Sequence, residues 1–217
     1  MDLPSYQPYF DQLIAYASAE PKKPALLEAK AEYFQLTGEV FEDDKVFEQR
    51  MASFLDYYVF DRPSPQTGKT PAQELYEEQR EKVGPEAAVP FRAFTETIHG
   101  LFEVRKLTDD GVRLRELFSA KELQVSERRR LAGLEKGDIL EARLIPFSGF
   151  LLFSSAFVFH PREASKLILR QVKKLKKAAP ETNPRELAWD CSRRALKTER
   201  YKQIAVEKIY DFENNPI

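Results

Sequence analysis

Leu101-Phe102-Glu103-Val104-Arg105-Lys106-Leu107 is followed by Asp109-Asp110-Gly111 and then by Val112-Arg113-Leu114-Arg115-Glu116-Leu117. Apolar and polar residues partly alternate on both sides of a turn signal, and that pattern predicts a β-hairpin. Glu135-Lys136-Gly137-Asp138 supplies a second turn leading into Ile139–Ile145, and Ser148-Gly149 separates that run from Phe150–His160. Four or five short strands so closely linked predict a small antiparallel barrel or curled sheet over residues 99–161. In the last run, Leu151, Phe153, Phe157 and Phe159 share one face, while Leu152, Ala156 and Val158 share the other. Both faces are apolar, so this strand is expected to be central and covered on both sides.

On either side of this module the period is helical. Before it, Val46, Phe47, Met51, Phe54, Leu55 and Tyr58 recur at helical spacing, with Asp43 or Asp44 placed to cap the start. Residues 24–36 form another helix candidate, with Pro24 in its first turn and Gly38 just past its end. Thr70-Pro71-Ala72-Gln73 combines a capping hydroxyl, a proline at the first helical position and a glutamine three after the cap. After the module, Ala164, Leu167, Ile168, Val172 and Leu175 give 162–177 an apolar side, and Asn183-Pro184 starts a further helix to about Thr198. Residues 204–212 fit either helix or strand. The expectation is one α+β protein: an N-terminal helical region (1–98), a small β module (99–161) and a basic C-terminal helical region (162–217), acting as one compact unit.

Composition narrows the class. Hydrophobic residues make up 42% of the 217 and include 16 Phe, so the chain can bury a core and fold. The most apolar run, Ile145–His160, contains Pro146, Ser148, Ser154 and Ser155, which argues against a membrane span. Met1-Asp2-Leu3-Pro4 lacks the basic, apolar start of a secretory signal. Cys191 is the single cysteine, so no internal disulfide and no thiolate zinc cage can form, and a cytoplasmic location is expected. Net charge is −1, but residues 162–217 carry 14 Lys+Arg against 8 Asp+Glu, while residues 1–98 carry 10 against 18.

A resemblance adds to this reading. Phe54-Leu55-Asp56-Tyr57-Tyr58-Val59-Phe60-Asp61, then Gly68-Lys69-Thr70-Pro71 and Glu74-Leu75-Tyr76, resembles a pattern in uncharacterised bacterial proteins. In those proteins an aromatic helix and a Gly-Lys-Thr turn precede a small β module similar to Leu101–Val104, Leu114–Phe118 and Gly137–Pro146. It spans about residues 46–160 and implies an α+β fold without a settled activity. Some of those proteins also carry a SEC-C zinc motif, whose Cys and His ligands this chain lacks.

The chemical motifs fail one by one. Gly68-Lys69-Thr70 suggests a phosphate loop, but Pro63 stands where that loop needs glycine, and the preceding segment is helical rather than a strand. Glu96 and His99 have the spacing of a helical di-iron pair without a second such pair, since Phe157 precedes His160 by three. There is no Gly-x-Ser-x-Gly elbow. A dyad of Cys191 and His160 requires tertiary proximity that nothing local predicts. Ala156-Phe157-Val158 matches the centre of an RNA-recognition signature whose flanks are wrong. No catalytic residue, metal ligand or cofactor is therefore expected.

Two basic features remain: Lys166, Arg170, Lys173, Lys174 and Lys177 on one side of the 162–177 helix, and Arg128-Arg129-Arg130 between strands. Such a helix can contact phosphates, acidic protein or anionic lipid, or be an ordinary solvated face. The leading expectation is a non-enzymatic interaction or adaptor protein that binds another protein. The alternative is a nucleic-acid-associated protein using the basic helix, and a hydrolase hidden in scattered carboxylates comes third. Oligomeric state is left open.

Overall fold

A computed structural model describes residues 3–127, 133–178, 181 and 183–214. Its helices are α1 (Gln7–Ala17), α2 (Lys23–Thr37), α3 (Phe47–Phe60), α4 (Pro71–Val83) and α5 (Val89–Arg92), then, after the strands, α6 (Ser165–Ala178), α7 (Pro184–Arg200) and α8 (Val206–Ile209). Between the two helical groups run β1 (Ile98–Thr108), β2 (Gly111–Glu116), β3 (Glu122–Ser126), β4 (Ile139–Phe147) and β5 (Phe150–Phe159). The fold is α+β. No helix among the described residues is long and apolar enough to cross a membrane.

The strands form one antiparallel sheet in the order β3-β2-β1-β4-β5. Of the two forms expected, the open one is found, because β3 and β5 stand at opposite ends and do not pair. Asp109-Asp110 turns the chain as expected, pairing Thr108 with Gly111 and Leu107 with Val112, and a bulge between Val104 and Lys106 shifts the register further down. Ser148 and Gly149 turn β4 into β5 with positive φ at both residues (50° and 81°), the backbone that two-residue hairpins require.

One expectation is corrected. β5 is an edge strand, not a central one, and it is covered on one face only: Leu152, Ser154, Ala156 and Val158 are buried, whereas on the other face Phe153 and Phe157 are buried but Ser155 and Phe159 are exposed. Apolar residues on both faces report neither pairing nor full coverage: strand order is set by which neighbours hydrogen-bond, and Phe159 stays half exposed. The edge has its own partner: the Tyr6 hydroxyl donates to the Phe153 carbonyl oxygen at 2.9 Å.

Backbone contacts divide the chain into two units. The first comprises Met1–Gln35, Val40–Ile98 and Arg143–Ala156. Its core is aromatic: Tyr6, Phe10, Phe60, Phe94 and Phe147 meet mostly edge-on or tilted, and Tyr33 packs with Phe54 and Tyr57. The capping box at Thr70 and Gln73 forms as expected. Asp44, by contrast, does not cap α3. Its carboxylate accepts the Phe41 backbone N–H at 2.8 Å, closing a local turn, and α3 starts at Phe47, after Val46, without a side-chain cap. Inside this unit Arg143 is almost fully buried. Its guanidinium pairs with Asp61 and Asp56, donates to Thr97 Oγ1 at 2.9 Å and lies 4.8 Å from the centre of the Phe60 ring.

The second unit comprises Leu36–Glu39, His99–Ala142 and Phe157–Ile217. Leu101, Ile139, Ile168, Val172, Leu187 and Cys191 are among the residues of its buried core. Gly38 ends α2 at φ +86°, and a Cβ there would meet the Leu196 side chain at 3.0 Å, so glycine serves both conformation and packing. Asn183 caps α7 by accepting the Arg185 N–H. Residues 204–212 contain the short helix α8 and no strand.

Candidate functional site

Helix α6 follows a turn of 3₁₀ helix at Arg162–Ala164. Ile168 and Val172 are buried in the core of the second unit, with Leu167 and Leu175 packed half-buried beside them. With that stripe facing inward, the helical period turns the other positions outward. Lys166, Arg170, Lys173, Lys174 and Lys177 are all exposed. At 1.5 Å per residue they extend over roughly 16 Å. The sequence reading placed these five on one side, and the structure puts that side at the surface. The last-turn lysines also lie where the helix dipole is negative, which favours the helix itself.

Among the described residues, a carboxylate from outside the helix reaches this face. Glu213, beyond α8, places Oε1 3.0 Å from Lys174 Nζ and Oε2 3.8 Å from the Arg170 guanidinium. The hydrogen bond from Lys174, with the charges of Lys174 and Arg170, holds its carboxyl below the usual glutamate range. The sequence had shown Glu163 as the single opposing acid on the helix. Glu213 was missed because it lies 39 residues from Lys174, and no local spacing signals the contact. Arg128, Arg129 and Arg130 lie outside the described residues.

A second polar cluster is interior. Glu141 of β4 receives the His99 imidazole at 2.9 Å on one oxygen and the Ser192 hydroxyl on the other. All three are buried, Ser192 completely. Burial raises the Glu141 pKa, yet the hydrogen bonds from His99 and Ser192 and the nearby imidazoles outweigh it and leave the carboxyl below its ordinary value. This is not a nucleophilic triad: the imidazole meets the carboxylate, whereas activation of serine requires it to meet the hydroxyl. Nearby, His160 Nδ1 lies 3.0 Å from the Tyr210 hydroxyl, which also reaches the Cys191 backbone carbonyl at 3.4 Å. The dyad weighed for Cys191 and His160 thus has a tyrosine against the carbonyl, and burial pushes the thiol pKa well up, away from reactivity. Sequence reading passed over Glu141. The available signal was a pair of charged residues, Glu141 and Arg143, within the otherwise apolar Ile139–Ile145, a stretch buried throughout.

A cleft of about 250 Å³ opens among Leu134, Ile139, Phe159, His160 and Arg162 in the same unit. Its guanidinium is already engaged, since Arg162 grips Asp138 at 2.8 and 3.3 Å, Glu135 at 2.9 Å and the Gly133 carbonyl at 3.0 Å. The residue works as a clasp on the 133–138 turn. Lys69 pairs with Glu77 at 2.5 Å and Thr70 caps α4, which accounts for the Gly-Lys-Thr sequence without a phosphate. Among the described residues no three or more His, Cys, Asp or Glu side chains group as metal ligands would.

Comparison with known proteins gives a family and nothing finer. The model of a family of unknown function, DUF7986, matches residues 22–187, which include the aromatic helix, the Gly-Lys-Thr turn and all five strands. The chain belongs to that family. No curated protein and no solved structure matches it.

Proposed function

We propose that this member of DUF7986 is a non-enzymatic, cytoplasmic interaction protein that docks an acidic segment of another protein on the basic face of α6. The observation that carries this reading is the exposure of Lys166, Arg170, Lys173, Lys174 and Lys177 together, on a helix whose opposite side is committed to the core. A surface of one sign raises the local concentration of oppositely charged partners and speeds their capture. Carboxylates suit it better than nucleic acid. The exposed positions of α6 offer one large apolar side chain, Leu169, and no aromatic ring on which a base could stack. A neighbour that this basic face does have, Glu213, is itself a carboxylate shared between Lys174 and Arg170. The test compares binding of acidic peptides and of oligonucleotides to the wild type and to a variant with the face reversed in charge.

A further inference from the structure

Glu213 does not reach α6 by chance of a loose tail. Arg194, buried on α7, donates to the backbone carbonyls of Ile209 and Asp211 and lies 4.3 Å from the centre of the Phe212 ring. Phe212 packs against the core beside Tyr210, their rings 6.2 Å apart. Asp211 then closes the chain on itself: its carboxylate accepts the backbone N–H groups of Glu213 and Asn214, each at 3.0 Å, and the Asn214 amide. The turn so held carries the Glu213 side chain onto Lys174 and Arg170.

From this arrangement we infer that Glu213 is a built-in competitor, an internal carboxylate occupying the middle of the basic face that an acidic partner must displace. This rests on the reading of α6 as a docking face and names how that face is regulated. The occupant is covalently attached, so its effective concentration is high and independent of dilution. Its grip is nevertheless weak, because the side chains of Glu213, Lys174 and Arg170 are all about half exposed or more, and exposed ion pairs contribute little. A single carboxylate in cis therefore excludes isolated acidic side chains but yields to a segment that engages Lys166, Lys173 and Lys177 as well. The contact acts as a threshold on partner charge.

The experiment uses the full chain and a fluorescein-labelled oligoglutamate as probe. Glu213→Gln keeps the shape and removes the charge, and Glu207→Gln removes one from an exposed position of α8 as a control. Glu213→Gln is expected to bind about two- to five-fold more tightly than wild type, the range an exposed ion pair sets, while Glu207→Gln changes little. Equal tightening in both variants would show a bulk charge effect and overturn the inference while leaving the docking face intact. Failure of Lys173→Glu/Lys177→Glu to weaken the probe would instead overturn the docking face. The internal contact is read independently by NMR titration of the Glu213 carboxyl. It should titrate below a free glutamate in wild type and move up in Lys174→Gln, and identical curves would overturn the inference whatever the probe does.

Discussion

Glu141 and His99, 42 residues apart in sequence, meet at 2.9 Å inside the second unit with both side chains buried. The carboxyl is held below its ordinary pKa of 4.5. A carboxylate whose folded pKa is depressed contributes stability above its unfolded pKa and loses it as pH falls through the folded value. Wild type should therefore lose stability below about pH 4.5 more steeply than Glu141→Gln, as read from urea midpoints across that range. Parallel acid limbs in the two proteins would contradict this.

Arg143 carries a larger share of the first unit. Its removal in Arg143→Ala takes the guanidinium away from the buried carboxylates of Asp56 and Asp61, at an expected cost of about 3–5 kcal/mol. Replacing all three, as Asp56→Asn/Asp61→Asn/Arg143→Met, should cost distinctly less than the single change, because no buried charge is stranded. Denaturant unfolding separates the two cases, and a triple variant less stable than Arg143→Ala would be contrary evidence.

At the loop before α4, Thr70→Ala should cost about 1 kcal/mol through the lost cap. Lys69→Ala, which gives up an exposed pair with Glu77, should stay within about 0.5 kcal/mol of wild type. Calorimetry with ATP and magnesium should show no heat in either, and micromolar binding abolished by Lys69→Ala would revive the phosphate-loop reading.

Gly111 opens β2 where an added Cβ would lie 2.0 Å from the Val125 carbonyl oxygen of β3. Gly111→Ala should consequently force β3 away and cost about 1–3 kcal/mol. Amide exchange would locate the loss in Glu122–Ser126, and unchanged protection there would count against the close approach.

What could be read from the sequence was what short-range chemistry decides. Asp109-Asp110-Gly111 announced the first hairpin, Thr70 and Asn183 announced two helix starts, and the apolar stripe of α6 announced which side would face out. The misses share a cause. Asp44 had two local turns available and took the one that closes on Phe41. The edge position of β5 depends on which strands pair, and its apolar composition reports neither that pairing nor the exposure of Phe159. Glu141, Arg143 and Glu213 find partners tens of residues away, so their roles exist only after the chain has folded. For the two β4 residues, a charge inside an apolar strand was the one visible hint.

The central claim is that the exposed basic face of α6 takes an acidic protein segment. Fluorescence anisotropy tests it most directly, with labelled acidic peptide, duplex DNA and single-stranded oligonucleotides titrated at several salt concentrations. Lys173→Glu/Lys174→Glu/Lys177→Glu runs alongside, its thermal melt checked against wild type. The account predicts peptide binding that weakens with salt, disappears in the variant and exceeds oligonucleotide binding at about 150 mM salt. Micromolar oligonucleotide binding at that salt would contradict it if the log–log slope were about −3 to −4 and the variant abolished the binding. Peptide binding that the variant leaves unchanged would contradict it as well.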